Sequence, residues 1–215
     1  MTKDLEKRII EKILRFVPAE DDERLLSFIE KLPLSKTKEK TLNFSIDGYR
    51  IAFYQYQDII TKEKFLEVWL FVGEDPIGYV RIDPQFGTTR GEPRKWELTR
   101  AYIRPKFRGR NLSFLFTRIT LSLAKKNKAH SIVAYPRHVA MLITLLKEGF
   151  ITQTGNYDHT LKRILRQGGR WYRRDVNARR LYYAQELRPF IQEGSFIMER
   201  QLTKKTFWQY LWEKI

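Results

Sequence analysis

Leu5, Ile9, Ile10, Ile13 and Leu14 recur at the three- and four-residue spacing of one helix face, so residues 3–16 are expected to form an amphipathic helix. A second stretch of the same kind runs from Asp22 to Leu32 and is punctuated by Pro33. Acids and bases nearly balance over this part. Residues 1–40 therefore read as a helical cap on the domain that follows.

From Thr41 the period changes. TLNFSIDGYRIAFYQYQD reads as two strands around Asp47-Gly48, a dipeptide suited to a two-residue hairpin turn. FLEVWLFVG and IGYVRID are further strands, separated by Glu74-Asp75-Pro76. A polar loop spans Gln85 to Lys95, and WELTRAYI is the next strand. Leu112, Leu115, Phe116, Ile119, Leu123 and Ala124 then predict a helix from Asn111 to Asn127. HSIVAYP is nearly all apolar, as expected of a strand covered on both faces. Val139 to Lys147 reads as a second helix, and Gly149-Phe150 leads into a strand, FITQTG. SFIMERQL returns to strand character. The fold class is thus α/β (α+β), a mixed sheet flanked by helices. No internal repeat or low-complexity tract interrupts it.

The segment between these last strands, 161–194, is different. Lys162, Arg163, Arg166, Arg170, Arg173, Arg174, Arg179, Arg180 and Arg188 face only Asp175 and Glu186 up to residue 188, and Trp171, Tyr172, Tyr182 and Tyr183 are interleaved. Gly168-Gly169 is expected to break it. The chain ends in KKTFWQYLWEKI, an amphipathic helix over 204–215 carrying Phe207, Trp208, Leu211 and Trp212.

Composition adds a partner class. The 215 residues carry 41 Lys and Arg against 25 Asp and Glu, a formal net charge of +16. Such a balance says nothing of the fold but favours anionic partners. Nucleic acid (DNA or RNA) leads, followed by an anionic membrane surface or an anionic cofactor. With no cysteine, disulfides, thiolate metal sites and a cysteine nucleophile are excluded, which fits a cytoplasmic setting. The charged N-terminal stretch is unlike a signal peptide, and no apolar run is long enough to be a membrane span. The three histidines, His130, His138 and His159, match no zinc spacing, so no metal is expected. No Gly-x-Ser-x-Gly elbow is present.

The informative stretch is WELTRAYIRPKFRGRNLSFLFTRITLSLAKK. A strand runs into a turn of basic and glycine residues, which opens a helix. Such a turn presents backbone N–H groups and the positive end of the helix dipole to an anion. Arg108 and Arg110 add charge beside it. Pro105 followed by RGRNLS at 108–113 resembles the GNAT superfamily of CoA-dependent N-acyltransferases, whose motif is a strand, Pro, then Arg-x-x-Gly-x-Gly/Ala, then a helix. Asn111 and Ser113 stand where the family has small residues; Asn tolerates left-handed backbone and Ser is small. HSIVAYPRHVAMLITLLKEGF and SFIMERQL resemble the family's following elements. The resemblance spans roughly 42–160 and 195–203. It implies a GNAT-like, mostly antiparallel sheet over 41–203 with 161–194 as a basic insertion before the last strand. It also implies acetyl-CoA or another acyl-CoA as cofactor, held by Ile103, Arg108, Gly109, Arg110, Asn111, Leu112 and Ser113.

Transfer to an amine needs a base for the amine and a proton donor for the thiolate. By position in the resemblance, Glu97 is the candidate base. The family's helix tyrosine has no counterpart among Thr144, Leu145 and Leu146; Tyr135, His138 and Tyr157 are the candidate substitutes. Arg166, Arg170, Trp171, Arg173, Arg174, Arg179 and Arg180 suit phosphate contact with base stacking, or else the solvated face of a helical insert. The acceptor is accordingly an amine on nucleic acid or on a nucleic-acid-associated protein. Leu98, Thr99, Arg100, Asn111 and Ser113 carry a weaker likeness to phage Mom-type DNA-modification proteins. Two other readings stay open. One is a nucleic-acid-binding protein on a GNAT scaffold without catalysis. The other is an interaction protein whose terminal FWQYLWEKI docks on a partner rather than packing back.

Overall fold

The structure is a computed structural model that describes residues 1–16, 42–57, 64–84, 86, 94–192 and 196–202. The amphipathic stretch at 22–32, most of the loop at 85–95 and the C-terminal helix at 204–215 lie outside the described residues.

The sheet begins as a meander. β1 (Leu42–Ile46) and β2 (Tyr49–Gln57) pair antiparallel around Asp47 and Gly48. Both turn residues have positive φ, 48° and 78°, which is what a two-residue turn matched to strand twist requires. β3 (Lys64–Val72), β4 (Asp75–Asp83) and β5 (Lys95–Ile103) continue antiparallel. Asp75 and Pro76 belong to β4, paired with Val72 and Phe71, so the turn is Gly73-Glu74 and not the Glu74-Asp75-Pro76 of the sequence reading. A proline is tolerated at such a strand start.

After β5 the connection crosses over. A short 3-10 turn, Pro105–Phe107, leads to α2 (Leu112–Lys126), and α2 returns the chain to β6 (Ser131–Ala134), which pairs with β5 in parallel. α3 (Val139–Lys147) follows as expected. β7 is only Ile151–Thr152, shorter than the strand expected from FITQTG, because the turn from Gln153 to Tyr157 feeds directly into the next helix. β8 (Met198–Gln201) inserts between β6 and β7. The sheet order is β1-β2-β3-β4-β5-β6-β8-β7. It is a mixed α/β fold with a mostly antiparallel, eight-stranded sheet flanked, among the described residues, by five helices. The mixed, mostly antiparallel sheet flanked by helices is as expected.

One sheet face builds the main core. Ile51, Phe53, Leu66, Val68, Leu70, Val80, Ile82, Trp96 and Leu98 join Ile9 and Ile13 of α1 (Lys3–Phe16) and Leu115, Phe116, Ile119 and Leu123 of α2. Each such side chain contributes about 1.5–3 kcal/mol on burial. Arg118 of α2 clamps the helices together, donating to Glu6 of α1 at 2.6 Å and to Glu148 beyond α3 at 2.8 Å. The other face carries Tyr54, Glu67, Trp69, Phe71 and Tyr79. There the Glu67 carboxylate is sequestered at 0% exposure and held by Arg81 at 2.6 Å and the Trp69 indole at 2.8 Å.

The basic segment forms a helical hairpin, α4 (Asp158–Trp171) and α5 (Val176–Gln192). Gly168-Gly169 does not break it. Gly168 lies in α4 where Tyr183 of α5 crosses, and a Cβ there would sit 2.3 Å from the Tyr183 ring. Glycine is present for close approach rather than for a turn.

Candidate active site at the carboxyl ends of β5 and β6

Leu98 opposite Ala134 is the last parallel pair between β5 and β6. β5 runs on from Thr99 to Ile103, while the chain after β6 turns through Tyr135, Pro136 and Arg137 into α3. The two strands that part there have no hydrogen-bonded partner between them beyond that pair, and both following helices start at the same end. The carboxyl edge of adjacent parallel strands is where α/β sheets place ligands.

A bulge decides what β5 presents. Arg81 pairs with Arg100 but Ile82 pairs with Leu98, which leaves Thr99 as the extra residue. The Thr99 hydroxyl donates to the Arg81 carbonyl at 3.2 Å and fixes the kink. Leu98, Ala101 and Ile103 consequently meet the core. Glu97, Arg100 and Tyr102 share the opposite face, where the Tyr102 ring lies 6.0 Å from that of Tyr79.

Glu97 is paired with Val133 and Tyr135 follows two residues later, so the register sets both at the parting. Burial pushes the Tyr135 phenol above its ordinary value of 10.0, and the Glu97 carboxylate pushes it the same way. His138 sits exposed at the start of α3, its side chain making no capping hydrogen bond. Tyr157 starts α4 and packs its ring against Phe190 at 5.5 Å and Phe196 at 6.1 Å, which fastens the hairpin to the segment entering β8.

The loop from Arg104 to Asn111 is built to hold its shape. The Arg104 amide donates to the Ile77 carbonyl at 2.9 Å, and Lys106 donates to Asp75 at 2.6 Å. That hydrogen bond, with the charges of Lys106 and then Arg104, holds the Asp75 carboxyl below its ordinary 3.8. Arg108 folds back to donate from Nε to the Ile103 carbonyl at 3.1 Å. Gly109 and Asn111 both adopt left-handed backbone, φ 81° and 61°; glycine does so freely and asparagine more readily than other side-chain-bearing residues. Asn111 precedes α2 without a side-chain capping bond; its carbonyl accepts from the amides of Phe114 and Leu115, and those of Leu112 and Ser113, at the very start of the helix, receive no side-chain cap. Arg110 lies over the Phe107 ring at 5.2 Å, and Phe107 itself is buried. Leu112 is buried in the core, and the Ser113 hydroxyl meets that of Thr144 at 2.9 Å.

Sequence reasoning missed one member of this neighbourhood. A Cβ on Gly109 would lie 3.4 Å from a guanidinium nitrogen of Arg180, on α5. The local sequence around either residue holds no signal for that contact. Four other arginines of the hairpin, Arg166, Arg170, Arg173 and Arg174, are exposed, and so is Trp171, at 59%. Arg179 is half-buried. Among the described residues no helix is long and apolar enough to cross a membrane, and no three His, Cys, Asp or Glu residues cluster.

No family model matches the chain, and no curated protein matches it. A solved structure, an acetyltransferase from Thermus thermophilus, is similar over part of the fold, with 21% identity and a TM-score of 0.32. The likeness covers 41% of this chain and 55% of that one, so the match spans about half the length of that acetyltransferase. The weaker likeness to Mom-type DNA-modification proteins draws no support from these comparisons.

Proposed function

We propose that the chain is an acyl-CoA-dependent N-acyltransferase that works where β5 and β6 part, on an amine presented by nucleic acid. The observation that carries this reading is the placement of Glu97 and Tyr135 at that parting, Tyr135 following two residues after Glu97's partner Val133, beside a loop whose left-handed Gly109 and Asn111 leave an open, arginine-flanked helix start. That loop fits a diphosphate: it combines unbonded amides, a position without Cβ and fixed positive charge. Backbone from Gly109 to Ser113, with Arg108 and Arg110 alongside, would hold the phosphates of the CoA, and Ile103 lies on the strand edge leading to them.

Acyl-CoA, when bound, supplies an activated thioester carbonyl and a thiol leaving group. Glu97 takes the proton released as the acceptor nitrogen bonds to that carbon. Tyr135 gives its phenolic proton to the sulfur as the carbon–sulfur bond breaks. The two are coupled by charge. The Glu97 carboxylate holds the phenol protonated, and once Glu97 is itself protonated that restraint is gone and Tyr135 becomes the stronger acid. Nine cations face three carboxylates over residues 158–192, and Asp158 and Asp175 are engaged in hydrogen bonds with Thr152 and with the first turn of α5. The hairpin therefore offers a cationic surface with an exposed indole, suited to a nucleic-acid strand.

Incubation with radiolabelled acetyl-CoA and single-stranded DNA, RNA or small amines tests the reading. Label is expected in the nucleic acid, slowed about 100-fold by Glu97→Gln and by Tyr135→Phe. Rates in both variants equal to that of the wild type would overturn the assigned roles.

A second reading is a nucleic-acid-binding protein on the same scaffold without catalysis. It is favoured by α3, where Thr144 and Leu145 are 1% and 0% exposed and the Thr144 hydroxyl already donates to the Ala140 carbonyl at 3.0 Å. That helix supplies no acid. Steeply salt-dependent binding of DNA, with a slope of about −0.7 per phosphate contact on a single strand, and no transfer of label, would favour it.

A further inference from the structure

We propose that Arg180 is a phosphate ligand of the acyl-CoA site, so that the basic hairpin forms one wall of that site as well as a surface of its own. This rests on the cofactor reading of the loop at 108–113. The hairpin is an insertion relative to the resemblance, and the loop alone does not require it.

Three observations converge. The first is contact: the Arg180 guanidinium reaches Gly109, where a Cβ would leave only 3.4 Å to it. The second is rigidity. Tyr183, one turn further along α5, is 7% exposed, and its hydroxyl donates to the Leu165 carbonyl of α4 at 3.0 Å. Tyr182 donates to Gln167 at 3.2 Å. These bonds, with Tyr183 seated on Gly168, fix the rotation of α5 about its axis and with it the direction from which Arg180 approaches. The third is charge. Arg180 is exposed and makes no ion pair among the described residues. It joins a loop that already carries Arg108 and Arg110, neither of them ion-paired among the described residues. Arg108 and Arg110 flank Gly109 in the chain and the Arg180 guanidinium reaches it from α5, so like charges converge on this loop and repel one another. An anion seated among them removes that repulsion, and the planar fork of arginine matches phosphate oxygens. The nearest carboxylate in sequence, Asp175, is engaged with the amides of Asn177 and Ala178. The ligand class is therefore the diphosphate or phosphomonoester of a CoA, and Arg180 is a binding residue rather than a catalytic one.

The test uses the full-length chain and calorimetric titration with CoA and with dephospho-CoA. Arg180→Gln is compared with Arg170→Gln, which removes the same charge from the Trp171 end of the hairpin. Unchanged melting temperatures establish that the variants fold, and Arg180→Lys provides a milder change that keeps the charge. Weakening of CoA binding by tenfold or more in Arg180→Gln, partial recovery in Arg180→Lys and little change in Arg170→Gln are the expected results. A defect seen with CoA but not dephospho-CoA assigns the contact to the phosphomonoester, and a defect with both assigns it to the diphosphate. If Arg180→Gln binds CoA as the wild type does, the assignment is overturned while the cofactor reading stands. The same holds if Arg180→Gln and Arg170→Gln weaken it equally, because the effect is then one of overall charge. If the wild type binds no CoA, the reading of the loop fails first and this assignment falls with it.

Discussion

The hydroxyl of Ser113 donates to that of Thr144 across 2.9 Å, because Thr144 gives its own proton to the carbonyl of Ala140. This bond ties the first turn of α2 to the middle of α3 and so fixes where the helix start lies relative to the β6 side of the site. Thr144 is structural in this account. Thr144→Val should lower unfolding free energy by about 1 kcal/mol in urea titrations. The pH profile of acyl transfer should keep its shape, since the proton donor is elsewhere. A lost alkaline limb would make Thr144 part of the chemistry.

The crossing of α4 and α5 separates two adjacent glycines. A Cβ at Gly168 meets Tyr183 at 2.3 Å and Tyr182 at 2.8 Å, whereas at Gly169 it stands 3.9 Å from the Tyr183 hydroxyl. Gly168→Ala should destabilise the protein by about 1–3 kcal/mol through overpacking. Gly169→Ala should be neutral or stabilise by up to about 1 kcal/mol through helix propensity. Thermal unfolding of the two variants side by side measures the difference.

The order of strands and helices was legible because burial follows local periodicity. β6 reads as nearly all apolar and is buried throughout, and α3 spans Val139–Lys147 as its spacing predicts. What was not legible is non-local. A period of two along WELTRAYI groups Glu97 with Thr99 and Ala101; the bulge at Thr99 groups it with Arg100 and Tyr102 instead. That bulge depends on pairing with β4, which the strand's own residues do not announce. Gly168-Gly169 reads as a break because the reason for glycine there, the ring of Tyr183, arrives from another helix. Arg180 at Gly109 is legible for the same reason only in three dimensions.

Asp75 anchors the loop through Lys106, and its carboxyl is held below its ordinary 3.8 by that hydrogen bond first. A carboxylate with a depressed folded value adds stability above its unfolded value and loses it as pH falls through the folded one. The wild type should therefore lose more stability than Asp75→Asn between about pH 4 and pH 2. Unfolding free energies measured across that range give the comparison; parallel curves would mean that the pair contributes nothing.

Tyr135 carries a second pH signature. Burial and the Glu97 charge both raise its phenol above the ordinary 10.0, so its proton should persist beyond that pH in the wild type. Glu97→Gln removes the second cause and should move the titration downward while burial still holds it above the ordinary value. Carbon-13 labelling of the tyrosine ring, with Tyr135→Phe to assign the signal, reads this directly. An unmoved titration would separate the two residues and remove the coupling between base and acid.

The most direct test of the central claim is calorimetric titration of acetyl-CoA into the wild type and into Gly109→Val, after nuclease and high-salt treatment to strip bound nucleic acid. Gly109 has φ 81°, a conformation that valine resists, so the substitution distorts the loop without removing a charge. The account predicts micromolar binding in the wild type and its loss in the variant, with melting behaviour retained. No binding by the folded wild type at millimolar acetyl-CoA would contradict it and leave the nucleic-acid-binding scaffold as the better reading.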